Sequence, residues 1–224
     1  MKYSKSIFTM LLIVGCSAQL YSQGYYLERG QNGFGISAGF ASNKNASSIG
    51  GSAGYSASGI FDFGLSISQI SFEEKLIGED VSATALSPFI TLHVVKQNET
   101  TPVSVALSAS YENDSYSSNA LDQYNLELSA SGITIGALIY GDINTSPTMK
   151  VQPSIGLRYF SSESEIKDNS GNSITSKDDG TIVGIGVGLL FQTAPNTIFG
   201  ISPSIGIHKS NTSFSLSAGL IFIL

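Results

Sequence analysis

The chain has 224 residues, of which 12% are charged and 42% are hydrophobic, and its formal net charge is −6. An ordinary soluble domain has about 25% charged residues and a nucleic-acid-binding protein is usually basic, so the composition disfavours the first class and excludes the second. Glycine and serine are abundant, with 24 and 38 residues, and no apolar run approaches the ~20 residues of a spanning helix. A helical membrane protein is therefore excluded, and an all-β membrane protein or a secreted β-sandwich remains.

The first 22 residues have the pattern of a secretory signal peptide. Two lysines precede the apolar run 7–14, and small and polar residues follow through Ser22. We predict cleavage after Ser22, which leaves 23–32 as a periplasmic segment. In the alternative, Ile-Val-Gly-Cys acts as a lipobox and Cys16 carries a lipid. Because Cys16 is the only cysteine, the exported chain needs a source of stability other than a disulfide, such as a closed sheet.

From Gly33 onward, apolar residues alternate with small or polar ones in segments separated by polar turns. This period of two is typical of a transmembrane β-barrel, in which one face meets lipid and the other lines a lumen. We predict an antiparallel, up-and-down barrel of ten strands over 33–224, with eight or twelve strands as alternatives. The predicted strands are 33–42, 48–58, 61–72, 81–95, 102–112, 125–140, 149–161, 180–192, 197–208 and 212–224.

The connections between these strands indicate the orientation. With both termini in the periplasm, the three longest and most polar connections, 73–80, 113–124 and 162–179, are extracellular, as barrels of this kind require. The last contains a hairpin turn sequence, Asp-Asn-Ser-Gly-Asn, at 168–172. The seventh and eighth predicted strands should therefore project beyond the membrane as a β-ribbon.

Some residues fit a regular strand poorly. Pro88, Pro153 and Pro203 fall inside predicted strands, where we expect a bulge or a missing ladder hydrogen bond. In strand 125–140 the apolar positions change phase, and a bulge near Ser131 would reconcile them. Aromatic residues near the strand ends are expected to form a membrane girdle. These residues are Tyr55, Tyr111, Tyr140, Tyr159, Phe160, Phe191 and Phe199.

The export signal, the alternating strands and the final Leu-Ile-Phe-Ile-Leu resemble the small outer-membrane β-barrels of Gram-negative bacteria, the porin-like and OmpA-like families. The resemblance covers about 33–224 and is one of pattern. The final residue in such families is usually aromatic, whereas here Leu224 is last and Phe222 lies two before it. The resemblance implies residence in the outer membrane, contact with its lipid and lipopolysaccharide, and insertion by the barrel assembly machinery.

The predicted inner face carries few charges among its small residues. Opposite charges on neighbouring strands lower the cost of lining a narrow lumen with ions, so we predict a contact between Glu127 and Arg158. Such a contact would stabilise the barrel or, alternatively, form a constriction that selects solutes. The candidate lumenal charges are Glu127, Arg158, Glu112 and His208 near the extracellular mouth, and Asp62, Lys150 and His93 near the periplasmic end.

The predicted role is structural or that of a narrow passive pore without a cofactor, with 23–32 folded into the periplasmic mouth as a plug. One alternative is an adhesin or accessory subunit that works through its outer loops, and another is a soluble β-sandwich. A hydrolase is disfavoured, although the omptin proteases place aspartates and a histidine at the barrel rim, where this chain has Asp178, Asp179 and His208. The two histidines lie at opposite ends, so they predict no metal site.

Overall fold

The computed structural model describes residues 26–224, and the predicted signal peptide at 1–22 lies outside the described residues. The described residues contain no helix with the length and hydropathy of a membrane span. In chain order the elements are β1 (Gly33–Ser42), β2 (Ala46–Ala57), β3 (Phe61–Phe72), β4 (Ser82–Val95), β5 (Ser104–Ser117), α1 (Asn119–Gln123), β6 (Leu126–Tyr140), β7 (Ile143–Ser146), β8 (Met149–Asp168), β9 (Ser173–Ala194), β10 (Thr197–His208) and β11 (Asn211–Ile223).

Ten of the strands form a closed antiparallel barrel. β1 to β6 pair in sequence, β6 pairs with β8, and β8 to β11 pair in sequence. The barrel closes between β1 and β11, where Gly33 pairs with Ile223 and Ser42 with Phe214. The extra strand, β7, forms a short hairpin with the start of β8. The prediction of an all-β, ten-stranded, up-and-down barrel is confirmed, and β1, β3 and β10 have the predicted bounds.

The outer surface of the barrel carries an apolar belt. Large aliphatic side chains such as Ile67 and Ile155 are 56% and 51% exposed there, while the serines that alternate with them face inward. A soluble protein does not leave so many large apolar side chains in water, whereas a closed barrel satisfies its backbone hydrogen bonds internally and can face hydrocarbon. The belt is therefore the lipid-facing surface, and the soluble β-sandwich alternative is wrong.

Several strands continue beyond this belt at the end opposite the termini. The outer face becomes polar after Tyr111 on β5, before Ile133 on β6, after Tyr159 on β8 and before Val183 on β9. We take these four positions as the limits of the membrane-spanning segments. Beyond them, β8 and β9 run on as a paired ribbon to a turn at 169–172, which confirms the predicted projection.

The bulge predicted near Ser131 is wrong. The register of β6 with β8 is continuous from Leu126 to Tyr140. Above the membrane, Leu128 faces inward and packs with Leu121 of α1, while the membrane-embedded Ile133 faces outward. The apolar side chains change faces because the surroundings of the outer surface change from water to lipid, and the backbone stays regular.

Two of the three strand prolines interrupt a ladder. The pairing of β4 with β5 is interrupted at Pro88 and that of β9 with β10 at Pro203, and the register is the same on both sides of each gap. Pro153 lies opposite Val187 in an unbroken stretch of the β8–β9 ladder. The expected loss of ladder pairing therefore occurs at Pro88 and Pro203, and the sheet tolerates it because neighbouring pairs fix the register.

Candidate functional site

The interior of the barrel is lined by small polar residues. Serine hydroxyls on neighbouring strands are hydrogen-bonded to each other on the inner face of the wall. The Oγ atoms are 2.7 Å apart for Ser37 and Ser52 and 2.6 Å apart for Ser204 and Ser215. Three cavities along the inner wall have volumes of about 30, 20 and 20 Å³. A cavity of this size holds one or two water molecules, so the described bore is narrow.

Tyr26, seven residues before β1, lies inside the bore. It lines one of the 20 Å³ cavities together with Gly200 and Ser217, and the other together with Gln152 and Gly186. These residues belong to the neighbouring strands β8, β9, β10 and β11, and the two cavities also reach β2 and β6, respectively. The described part of the segment before β1 therefore enters the lumen at the end that carries both termini.

A buried polar network lies at this periplasmic end. The Asp62 carboxylate is 3.0 Å from Nε2 of His93, and Nδ1 of His93 is 2.9 Å from the Tyr140 hydroxyl. The three residues come from β3, β4 and β6, and Asp62 and His93 are fully enclosed. A hydrogen bond on each ring nitrogen fixes the imidazole in one orientation. The network thus ties three strands together across the inner wall.

A larger cavity of about 460 Å³ opens beside this network at the periplasmic mouth. Lys150, one of the predicted lumenal charges, lines this cavity, and its Nζ atom is 4.0 Å from Oδ2 of Asp142. Lys96, just after β4, has its ammonium group 5.9 Å from the Tyr140 ring centre. Burial lowers the pKa of Lys96 to about 8, although the Asp142 carboxylate opposes the shift. The mouth therefore carries charges of both signs.

The predicted contact between Glu127 and Arg158 is wrong. Glu127 is exposed on the outer face of β6 opposite Lys167, whereas Arg158 faces inward opposite Gly136. The two residues therefore lie on opposite faces of the sheet and at different heights. The other predicted lumenal charges lie on the inner side, and they are Arg158, Glu112, His208, Asp62, His93 and Lys150.

His208 is packed near the extracellular end of the bore. Its Nδ1 is 2.8 Å from the Thr181 carbonyl oxygen, and its ring centre is 5.3 Å from that of Phe160. Gly180 lies against both rings. The two aspartates considered with it for catalysis lie on opposite faces of β9, with Asp178 half-buried on the inner face and Asp179 exposed on the outer face.

Gly180 leaves the space that the His208 ring fills. We expect Gly180→Ala to destabilise the barrel by about 1–3 kcal/mol, because its Cβ would overlap the His208 imidazole and press on Phe160. Gly184→Ala is the matched control, since a Cβ there meets only the Arg158 Nη2 atom and the Ile205 carbonyl, at 3.8 and 3.9 Å. The measurement is the temperature at which the folded band disappears on a gel. Equal temperatures for the two variants would contradict this packing.

The girdle prediction places all aromatic residues near strand ends on the outer face, and it therefore misses part of this interior. Tyr111 and Tyr159 do face outward, but Tyr140 and Phe160 are buried inside. The alternation of the strand could have identified Tyr140 as an inner residue, because it lies two residues after the inward-facing Leu138 on β6. The inner site residues Tyr26, Lys96 and Asp142 precede or follow strands, where alternation predicts nothing.

No protein-family model and no curated protein matches the chain. Solved structures match its fold. The translocator domain of the autotransporter NalP from Neisseria meningitidis is 12% identical, with 86% of this chain and 88% of that chain covered and a TM-score of 0.50. The β domain of the Bordetella autotransporter BrkA is 10% identical (87% and 99% covered, TM-score 0.48). The outer-membrane protease OmpT from Escherichia coli is also 10% identical (87% and 97% covered, TM-score 0.44).

This chain is a transmembrane β-barrel with the fold of bacterial outer-membrane barrels. The likeness to the NalP translocator concerns the fold. The apolar belt shows that the barrel spans a membrane, because a closed barrel with an apolar outer surface and a polar interior is suited to a bilayer. At these identities, the likeness assigns no activity to the chain. The interior features to consider for function are the seven-residue segment before β1 and the buried polar network.

Proposed function

We propose that this outer-membrane barrel is a non-enzymatic, narrow passive pore whose periplasmic end is occluded by the segment before β1. The observation that carries the proposal is the position of Tyr26 in the bore, where it lines one cavity beside β2 and β11 and a second cavity beside β6 and β9. A phenol ring at this position would narrow the passage that a permeating solute needs.

The rest of the lining supports a route for small polar solutes. Serine hydroxyls and glycine backbone surround the bore, and such groups can replace part of a solute's hydration. Charged residues are confined to the two ends, where Lys150 and Asp142 mark the periplasmic mouth and Glu112 lies toward the other end. This arrangement would pass small solutes slowly and without a fixed substrate.

Single-channel conductance in planar bilayers tests this proposal. Tyr26→Ala and a deletion of 23–32 should each raise the conductance several-fold over the unaltered barrel, because each removes the ring from the bore. Tyr124→Ala is the matched control, since Tyr124 is 52% exposed in the connection between β5 and β6 and should leave the conductance unchanged. The proposal fails if neither Tyr26→Ala nor the deletion changes the conductance.

A further inference from the structure

Lys96 is a half-buried lysine that lines the 460 Å³ cavity at the periplasmic mouth. Among the lysines of residues 26–224, Lys96 and Lys150 are half-buried and the others are exposed. The Nζ atom of Lys96 donates a hydrogen bond to the Tyr140 hydroxyl at 3.4 Å and lies over the same ring. The amine is therefore partly removed from water while its residue still borders the cavity.

The backbone that carries Lys96 is fixed by the next residue, Gln97. The Gln97 N–H donates to the Ser104 hydroxyl at 2.8 Å. Its side-chain amide donates to the Asp142 carbonyl oxygen at 3.1 Å and accepts from the Asp142 N–H at 2.6 Å. These hydrogen bonds join the connection after β4 to the start of β5 and to the connection after β6. Lys96 is therefore held at a defined point of the cavity wall.

Burial changes the protonation of this amine. Removal from water disfavours the ammonium form and lowers the pKa of Lys96 to about 8, and the neighbouring Lys150 charge acts in the same direction. The carboxylates of Asp142, Asp62 and Glu28 oppose the shift without cancelling it. About a tenth of Lys96 is then uncharged at pH 7, against less than about a thousandth for a lysine in water. Only the uncharged amine is a nucleophile.

Exposed lysines of the barrel are held in the charged form instead. Lys75 is 3.0 Å from Asp80 and Lys167 is 2.8 Å from Glu165. The hydrogen bond in each pair raises the pKa of the lysine, so both amines are protonated at neutral pH. Lys96 therefore combines two properties, an uncharged fraction and a place on the wall of a cavity.

The lining of the cavity indicates the class of molecule that would react. Its volume of about 460 Å³ lies within the range of small-molecule sites, roughly 300–1,000 Å³. Besides its charged residues, the cavity presents the side-chain amides of Asn98 and Asn144, and both residues are exposed. Amides bind hydroxyl groups, and a desolvated lysine amine reacts with carbonyl compounds. A short hydroxylated aldehyde meets both requirements.

We propose that the cavity at the periplasmic mouth binds short hydroxylated aldehydes covalently, as an imine on Lys96. This covalent site goes beyond the proposed pore function and does not depend on conduction. The Lys96 nitrogen adds to the carbonyl carbon, and one proton passes from the nitrogen to the carbonyl oxygen, which becomes a hydroxyl. That hydroxyl leaves as water when the C=N bond forms. Amine and aldehyde thus give an imine and one water molecule, without an oxidant or a reductant.

Tyr140 is placed to move the proton in the second step. Its hydroxyl oxygen is 3.4 Å from Lys96 Nζ and 2.9 Å from Nδ1 of His93. A phenol at this distance can protonate the leaving hydroxyl and then take a proton back from the nitrogen. The buried network of Asp62, His93 and Tyr140 would thereby hold the proton donor beside the reacting amine.

Trapping of the imine by reduction provides a direct test. The purified barrel in detergent micelles is treated with glyceraldehyde and sodium cyanoborohydride at about pH 7.5, where an ordinary lysine is protonated. Peptide mass spectrometry then measures the rate at which each lysine is labelled. Lys96 should be labelled at least about tenfold faster than the exposed, ion-paired Lys167. Propanal, which has no hydroxyl group, should give a smaller ratio of the two rates.

Variants assign the rapid labelling to the site. Lys96→Arg keeps the positive charge and should abolish the rapidly labelled fraction. Lys177→Arg is the matched control, because it makes the same replacement on the projecting ribbon and should leave the labelling of Lys96 unchanged. Tyr140→Phe should slow the labelling of Lys96 several-fold, because the proton donor is lost while the ring remains.

Labelling of Lys96 no faster than that of Lys167 would overturn the proposal, and so would a rapidly labelled fraction that persists in Lys96→Arg. Equal rate ratios for glyceraldehyde and propanal would refute the preference for hydroxylated aldehydes. An unchanged rate in Tyr140→Phe would refute the proton transfer. Heat-dependent gel mobility verifies that each variant is folded, and the comparison of lysines within the unaltered barrel needs no variant. Conductance is not measured here, so a failed pore proposal leaves this test valid.

Discussion

His93→Ala should lower the free energy of unfolding by about 3–5 kcal/mol, the largest loss that we expect from one substitution in this barrel. The imidazole is enclosed and bonded on both sides, to the Asp62 carboxylate and the Tyr140 hydroxyl. Alanine removes both hydrogen bonds and takes a partner from a carboxylate that is itself fully buried. The measurement is equilibrium unfolding by urea in lipid vesicles, followed by circular dichroism.

Two further variants separate this network from the loss of any buried histidine. His208→Ala removes a ring that bonds to the Thr181 carbonyl and to no carboxylate, so we expect a smaller loss, of about 1–3 kcal/mol. His93→Gln keeps a donor that can reach Asp62 and should restore part of the stability. If His93→Ala and His208→Ala lower the free energy of unfolding equally, the pairing of His93 with Asp62 adds no stability beyond that of an ordinary buried histidine.

Ile155→Arg should destabilise the barrel by about 2–4 kcal/mol in a bilayer. Ile155 faces outward in the apolar belt on β8 and is 51% exposed, so the guanidinium would be placed in hydrocarbon. The same urea titration in vesicles measures the effect, with the folded fraction read from heat-dependent gel mobility.

Ser161→Arg is the matched control on the same strand. Ser161 also faces outward but lies just beyond Tyr159, where the outer surface is polar. We expect a change of about 0–1 kcal/mol there, because the arginine reaches water or the lipid headgroups. Equal costs at the two positions would show that the apolar belt of β8 extends further than the sequence of its outer face indicates.

The residues of the belt explain why most of the strands could be predicted from the sequence. A residue such as Ile185 must alternate with a small inner residue such as Gly184, because the two faces of a strand meet lipid and lumen. This physical requirement acts along every membrane-spanning segment. It therefore determines the strand positions and the inward or outward direction of most side chains.

Glu127 shows where this reasoning fails. If apolar residues face outward along the whole of β6, the outward-facing neighbours Leu126 and Leu128 place Glu127 in the lumen. Above the membrane the outer face meets water, and Leu128 turns inward to pack with Leu121 of α1. The sequence contains the change of pattern but does not state at which residue the surrounding solvent changes.

The interior sites depend on contacts between distant parts of the chain. Asp62 and Tyr140 are far apart in sequence and meet through His93 because the curvature of the closed barrel brings β3, β4 and β6 to one side of the mouth. Tyr26 enters the bore from outside any strand, so no period marks it.

The sequence by itself thus determined the class of fold, the number of strands and the residues that face lipid, because period-two alternation against hydrocarbon is a local constraint. The tertiary structure alone decided which inner side chains meet. Barrel closure fixes the register all the way around the wall, and that register sets Glu112 beside a cavity lined by serines from five other strands. The partners of the few inner charges, such as the Tyr140–His93–Asp62 network, are therefore decided by barrel closure and register.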